Sequence, residues 1–508
     1  MRIDEALDHS RQITRNKHNE EVTKNRKCMR TLIEITCFLG THGLAFHGHY
    51  ECSDSTNRGN YKDLCTLIAA RDPAFQDFIN NKVFSGTSGG IQNELIECIE
   101  SYMVQTIKRE VLDAEFVSIM MDESTDSARL SQLSCTLRYL RPDGTPVERL
   151  VRLADVSSDK TAAALAGHVD EIAAYFGLDG DKVVAQSYDG AAVMSGDKSG
   201  VQTLVKQRFP KAGYIHCRAH VLNLVLLHSC TNNKKSARFF NTISSLAAFF
   251  SQSPKRSETL KQFMETHIPN VCKTKWSYNS RMIKIIDSNY AAINECLGEI
   301  YLGDSVFDAE TCTTARGLHA FMLEFNTVFL LKLFANIFAH TDVLYQILQT
   351  KELDVVECLR NVKACLASIE ELKAEHHFYR TLNDAIDVSG ETVTDSNGIN
   401  YRPINILYLI SFILGQNLHQ TFSETLRLAR MILTLPNTTA SIERTFSVLR
   451  RIKNYLRSKS GQNRLFGIMM MAVEKDLLHE MMLTPLFYDD IIDKFALKVN
   501  RRIPLLYK

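Results

Sequence analysis

At 508 residues the chain is too long for one ordinary domain and has room for about two to four units. Its 45% apolar and 23% charged composition excludes a disordered or low-complexity protein. A net charge of +1 excludes a polycation, so any nucleic-acid contact has to come from local basic patches.

The first hundred residues read as helix of mixed charge. Arg11, Arg15, Lys17, Lys24, Arg26, Lys27 and Arg30 make its opening basic, which fits a solvated helix face or an arm that touches DNA phosphates. The start, MRIDEALDHSRQ, has no apolar signal core. Thirteen cysteines without a CxxC pair point to reduced thiols. Cys28, Cys37 and Cys52 lack zinc-finger spacing.

From Phe116 the pattern changes to strands. FVSIMMDESTD (Phe116–Asp126) is an apolar run that stops at three acids, Asp122, Glu123 and Asp126. In the next run, Leu133, Cys135, Leu137 and Tyr139 alternate with Ser134, Thr136 and Arg138, which predicts a half-buried strand. A turn at Arg141–Gly144 and the run VERLVRLADV complete a three-strand meander. A helix follows with Leu165, Val169, Ile172 and Phe176 on one face. KVVAQSYDG (Lys182–Gly190) is a fourth strand ending in Asp189, and GYIHC (Gly213–Cys217) a fifth. The order β-β-β-α-β-α-β-α predicts an α/β fold, an RNase H-like mixed sheet. In that sheet the first and fourth strands end side by side, so Asp122 and Asp189 should meet.

The chain then turns helical. HAFMLEFNTVFLLKLFANIFAHTDVLYQIL is apolar on more than one face, as in a helix buried among others. The stretch Ile404–Gly415 is too short to span a bilayer, so no membrane contact is expected. Near the end, Ile442, Phe446, Leu449 and Ile452 form a helical stripe, with Ser441 as the expected N-cap. Arg444, Arg450, Arg451, Lys453, Arg457, Lys459 and Arg464 cluster around it as candidate phosphate contacts. LFGIMMMAVEKDLL has more apolar residues than one packed face needs, which predicts a surface shared with another chain or another domain. The expected organisation is a helical N-terminal region at 1–110, a first part of the RNase H-like core at 111–290, an all-helical insertion at 291–430, and a C-terminal region at 431–508 that completes the core.

Five motifs occur in one order: MMDESTD, SYDGAAVMSG, HCRAHVLNL, TKWSYNSRM and LPNTTASIERTFSVLRRIKNYLRS. Through them the chain resembles hAT-superfamily transposases and their domesticated relatives of the zinc finger MYM-type and TTF-finger/hAT-dimerisation kind. The resemblance implies a DDE triad of Asp122, Asp189 and Glu443 that holds Mg²⁺ or Mn²⁺, catalytic if the enzyme is active. It also implies DNA contacts at Cys217 and His220, which match a CxxH motif, and at Lys275 and Trp276. Lys275 stands where the family has arginine in an Arg-Trp pair that supports a flipped base. The C-terminal region would pair the chain with itself or with another hAT-type protein, in the nucleus. No BED-type finger spacing precedes the core. The implied function is DNA binding with metal-dependent strand cleavage and transfer, and the alternative is a domesticated, catalytically inactive dimerising regulator. A plain nuclease for RNA–DNA hybrids is disfavoured by the long helical interruption before Glu443.

Overall fold

The computed structural model describes residues 3–48, 58–81, 83–231, 233–269, 276–303, 306–350, 354–372, 374–386, 410, 414, 423–453, 461–499 and 501–508. It divides into two units, one formed by 1–215 together with 434–508, the other by 216–433.

The first unit opens with four helices: α1 (Ile3–Thr41), α2 (Asn60–Ala69), α3 (Pro73–Ile79) and α4 (Gly89–Asp113). Strands β1 (Val117–Thr125), β2 (Ser131–Leu140) and β3 (Pro146–Asp155) form the meander. Then come α5 (Ala162–Phe176), β4 (Val183–Tyr188), α6 (Ala192–Ser195), α7 (Val201–Arg208) and β5 (Gly213–His216). The sheet is mixed, in the order β3-β2-β1-β4-β5. β1 is antiparallel to β2 and parallel to β4, so the expected neighbours are neighbours. A helix is the usual bridge between parallel strands, and α5 is framed for that task. Thr161 caps its N-terminus, and Gly177 ends it in the left-handed region at φ 68°.

β2 departs from expectation. It is buried along its whole length, Ser134, Thr136 and Arg138 included. Its polar side chains face a second layer rather than water, and Arg138 is paired at 2.7 Å with Glu148 on β3. The covering layer includes the end of the chain, α18 (Ala440–Ile452), which packs on β1, β2 and β3, and α19 (Gln462–Val473), which packs on β3, α1 and α4. Two more helices, α20 (Lys475–Met482) and α21 (Pro485–Lys498), complete the unit. The amide N–H groups of Ile442 and Glu443 donate to the Thr439 carbonyl. The helix therefore starts before Ser441, and Thr439, not Ser441, takes the N-cap position.

The Met-rich excess of α19 also finds its partner within this unit. Leu465, Ile468, Met469, Met470 and Met471 are buried in one core shared with Leu32, Ile96 and Ile99. Where the sequence predicts a surface shared with another chain or another domain, these residues instead fill the core of the unit they belong to. Ion pairs absorb part of the basic opening as well. Arg26 is held by Asp489 and Asp493, and Arg30 lies 4.1 Å from the Tyr488 ring centroid.

The second unit is helical. Its helices are α8 (Arg218–Thr231), α9 (Lys234–Ser251), α10 (Pro254–Phe263), α11 (Trp276–Ser288), α12 (Tyr290–Leu302), α13 (Ala309–Met322), α14 (Phe325–Leu348), α15 (Val355–Glu371), α16 (Glu375–Ile386) and α17 (Ser423–Thr434). This block begins at His216 rather than near 291, because Phe239, Phe240, Ile243 and Phe250 of α9 share its core with Phe334 and Phe338 of α14. By length and composition α14 could cross a bilayer, and its residues Val328, Leu331, Phe334 and Phe338 are buried.

Candidate functional site: an acidic strand edge under a returning helix

The three acids that close FVSIMMDESTD have three different fates. Glu123 forms an ion pair with Lys160, Oε1 to Nζ 2.5 Å. Asp126 is buried and paired with Lys453, Oδ2 to Nζ 2.6 Å, the two side chains being 1% and 2% exposed. Its other oxygen accepts from the backbone N–H groups of Ala128 (2.8 Å) and Leu130 (3.0 Å), which shapes the turn into β2. Burial raises the Asp126 pKa, but Lys453 and these backbone donors outweigh it and hold the carboxyl below its ordinary value. Asp122 is half-buried, with one oxygen accepting from the N–H of Glu123 at 2.9 Å.

Strand register directs the ends of β1 and β4, which carry Asp122 and Asp189, toward the same edge of the sheet. Met120 pairs with Ser187 across the parallel β1–β4 ladder, and each acid lies two residues further along the chain. Two residues is the period of one sheet face, so Asp122 continues the face of Met120 within β1, while Asp189 follows directly after the last residue of β4, Tyr188. Asp189 is half-buried. Its carboxylate accepts from the N–H of Ala191 at 3.2 Å, and its carbonyl accepts from the Tyr214 hydroxyl on β5 at 3.2 Å.

The returning segment is bracketed along β1. Ser118, on the same strand face as Asp122, donates its hydroxyl to the Thr434 carbonyl at 2.9 Å. At the far end Lys453 joins Asp126, and the Ser127 hydroxyl donates to the Lys453 carbonyl. Counted along the sequence, Asp122 lies midway between the two strand anchors, and Glu443 near the middle of the return. Glu443 is half-buried in the first turn of α18. Among the described residues, no three His, Cys, Asp or Glu side chains are gathered closely enough to hold a metal ion. The donor chemistry, hard carboxylate oxygens, suits Mg²⁺ or Mn²⁺, but the three acids do not form a ligating group in this structure.

The basic residues divide. Arg444, Arg450 and Arg451 lie on the exposed side of α18, away from the stripe of Ile442, Phe446, Leu449 and Ile452. Lys453 is buried, and Arg464 is engaged with Asn93 and with the Phe46 ring, so these two are structural rather than phosphate contacts. Arg457 and Lys459 lie outside the described residues.

In the second unit Cys217 is buried at the start of α8 and His220 is half-buried in its first turn. The His220 ring centroid is 5.7 Å from that of His216. Lys275 lies outside the described residues, and Trp276 opens α11. Sequence reasoning missed the Asp126–Lys453 pair and its neighbours Gln132 and Gln462. Its one trace was that Asp126 and Lys453 belong to the two motifs that also carry Asp122 and Glu443.

Comparison with known proteins gives two family matches. Residues 2–200 match the family described as "ZMYM1/FAM200, RNase-like domain". Residues 395–477 match the "hAT family C-terminal dimerisation region". Similar proteins include the "52 kDa repressor of the inhibitor of the protein kinase" of Mus musculus, 22% identical over 382 residues, covering 71% of this chain and 50% of that protein. The Homo sapiens protein of the same name is 21% identical over 380 residues, covering 71% and 49%. The chain thus spans about half the length of these relatives.

Proposed function

We propose that this chain, whose residues 2–200 match an RNase-like domain of the ZMYM1/FAM200 kind and 395–477 a hAT-family dimerisation region, is a hAT-derived, self-associating, DNA-binding protein of the nucleus. The observation that carries this reading is the dimerisation-region match, whose helix α18 has Arg444, Arg450 and Arg451 on its exposed side. Guanidinium groups in that arrangement suit phosphate contacts, which set affinity without reading sequence. Cys217, His220, Lys275 and Trp276 are the further DNA contacts of this reading. The test is a salt titration of duplex binding by the full chain. Arg450→Ala combined with Arg451→Ala should weaken binding uniformly across sequences and lower the salt slope by about 2. An unchanged slope rejects this surface as the contact.

A second reading, metal-dependent strand cleavage, is favoured by the parallel pairing of β1 and β4, the strands that lead to Asp122 and Asp189. In it Asp122, Asp189 and Glu443 would hold Mg²⁺ or Mn²⁺, which would stabilise charge on the attacking and leaving oxygens of the phosphodiester. The chain's own share is to keep Asp122 and Asp189 at one edge of the sheet and to deliver Glu443 on α18. Nicking of terminal-repeat DNA that needs the metal and is abolished by Asp189→Ala supports this reading. Binding without nicking under the same conditions leaves the inactive, domesticated regulator.

A further inference from the structure

The two motifs that carry Asp122 and Glu443 also carry the two halves of a buried ion pair, Asp126 and Lys453. Asp126 Oδ2 receives Lys453 Nζ at 2.6 Å and Gln132 Nε2 at 3.1 Å. Gln132 in turn accepts from Gln462 Nε2 at 3.0 Å, and Gln462 also donates to the Leu153 carbonyl at 3.0 Å. The network ties the last turn of α18 and the first turn of α19 to the same ends of β1, β2 and β3. Net stabilisation is a poor reason for such a pair, because removing two charges from water offsets most of their attraction, and a well-packed apolar pair would serve as well. Apolar packing does not define one axial setting. The stripe of Ile442, Phe446, Leu449 and Ile452 could settle against the sheet at more than one height, whereas an ammonium seated on one carboxylate oxygen admits a single stop.

We propose that Asp126 and Lys453 are a positioning pair that sets how far α18 runs along β1, and so holds Glu443 level with Asp122. The proposal rests on the reading of the acid edge given above for its purpose, but its geometry is testable without that reading.

The experiment compares the full chain with the double variant Asp126→Asn, Lys453→Met, which removes both charges together and avoids leaving either buried alone. Hydrogen exchange of the α18 amides (residues 440–452) is expected to accelerate by about tenfold or more while β2 and α4 keep their protection. Unchanged exchange in α18, or an equal rise through the whole sheet unit, overturns the proposal by reducing the pair to general stability. Should the double variant not fold, Ser127→Ala removes only the hydroxyl bond to the Lys453 carbonyl. It is expected to speed α18 exchange by about two- to threefold with an unchanged melting temperature, and no local change overturns the proposal. Nicking assays separate the two ideas. Wild-type protein that never nicks sinks the cleavage reading and leaves the exchange result standing. Where wild type nicks, the double variant should lose about tenfold or more in rate at unchanged DNA affinity, and an unchanged rate overturns the positioning role.

Discussion

Truncating Lys453 alone would leave the Asp126 carboxylate 1% exposed with its charge unmatched. Lys453→Met should therefore cost about 3–5 kcal/mol in urea unfolding, and the double variant far less. Acid should reveal the same carboxylate. Its folded pKa is lowered from 3.8, so its contribution is complete above that value and is lost as pH falls through the lowered folded pKa. The stability gap between wild type and Asp126→Asn, followed by circular dichroism, should stay constant above about pH 4 to 5 and close below it. Glu100 on α4 behaves in the opposite sense. Burial, then the neighbouring charge of Glu97, pushes its pKa up to about 7 against the opposing pull of Lys498. Between 4.5 and about 7 the folded protein keeps a proton that the unfolded chain releases, so this residue costs stability as pH rises. Glu100→Gln should match the wild-type melting temperature near pH 5 and exceed it near pH 8.

Helix α19 is tightly seated on α1 and α4. A side chain at Gly467 would drive into Ile96 and Glu100 of α4, and one at Gly40 of α1 would drive into Met471. Gly467→Val should destabilise by about 1–3 kcal/mol through overpacking. Gly461→Ala, where a new methyl meets nothing within 4 Å, is the neutral control in the same unfolding assay. Periodicity and turn chemistry were enough to read β1 to β5 and their order, because each strand declares itself within a few residues and the connections limit the topology. That β1 and β4, the strands that lead to Asp122 and Asp189, are parallel neighbours was legible for that reason. Whether the residues between Leu133 and Tyr139 face water was not, because the helix that covers Ser134 and Thr136 comes some three hundred residues later. Lys453 reads locally as one more base in a basic helix, and only the tertiary fold seats it on Asp126. The apolar excess of α19 reads as a surface shared with another chain or domain because its partners, α1 and α4, lie more than three hundred residues earlier in the same unit.

At the scale of the molecule, the C-terminal region is both a dimerisation-family segment and part of the covering layer of the sheet. A chain ended at Leu433 would expose the sheet face under α18 and the faces of α1 and α4 under α19. Its first unit should lose cooperative thermal unfolding, so failure of such a chain to self-associate would not by itself locate an interface. Sedimentation of the intact protein, with substitutions at exposed positions of α18, separates loss of pairing from loss of fold. Synthesis order has a further consequence. The ribosome completes the sheet at His216 and must then make all of His216–Leu433 before the cover emerges. At about 5–20 residues per second that delay is roughly ten seconds or longer. The nascent sheet spends that time with the face under α18 uncovered, which makes it a natural client for a chaperone holding the chain during translation.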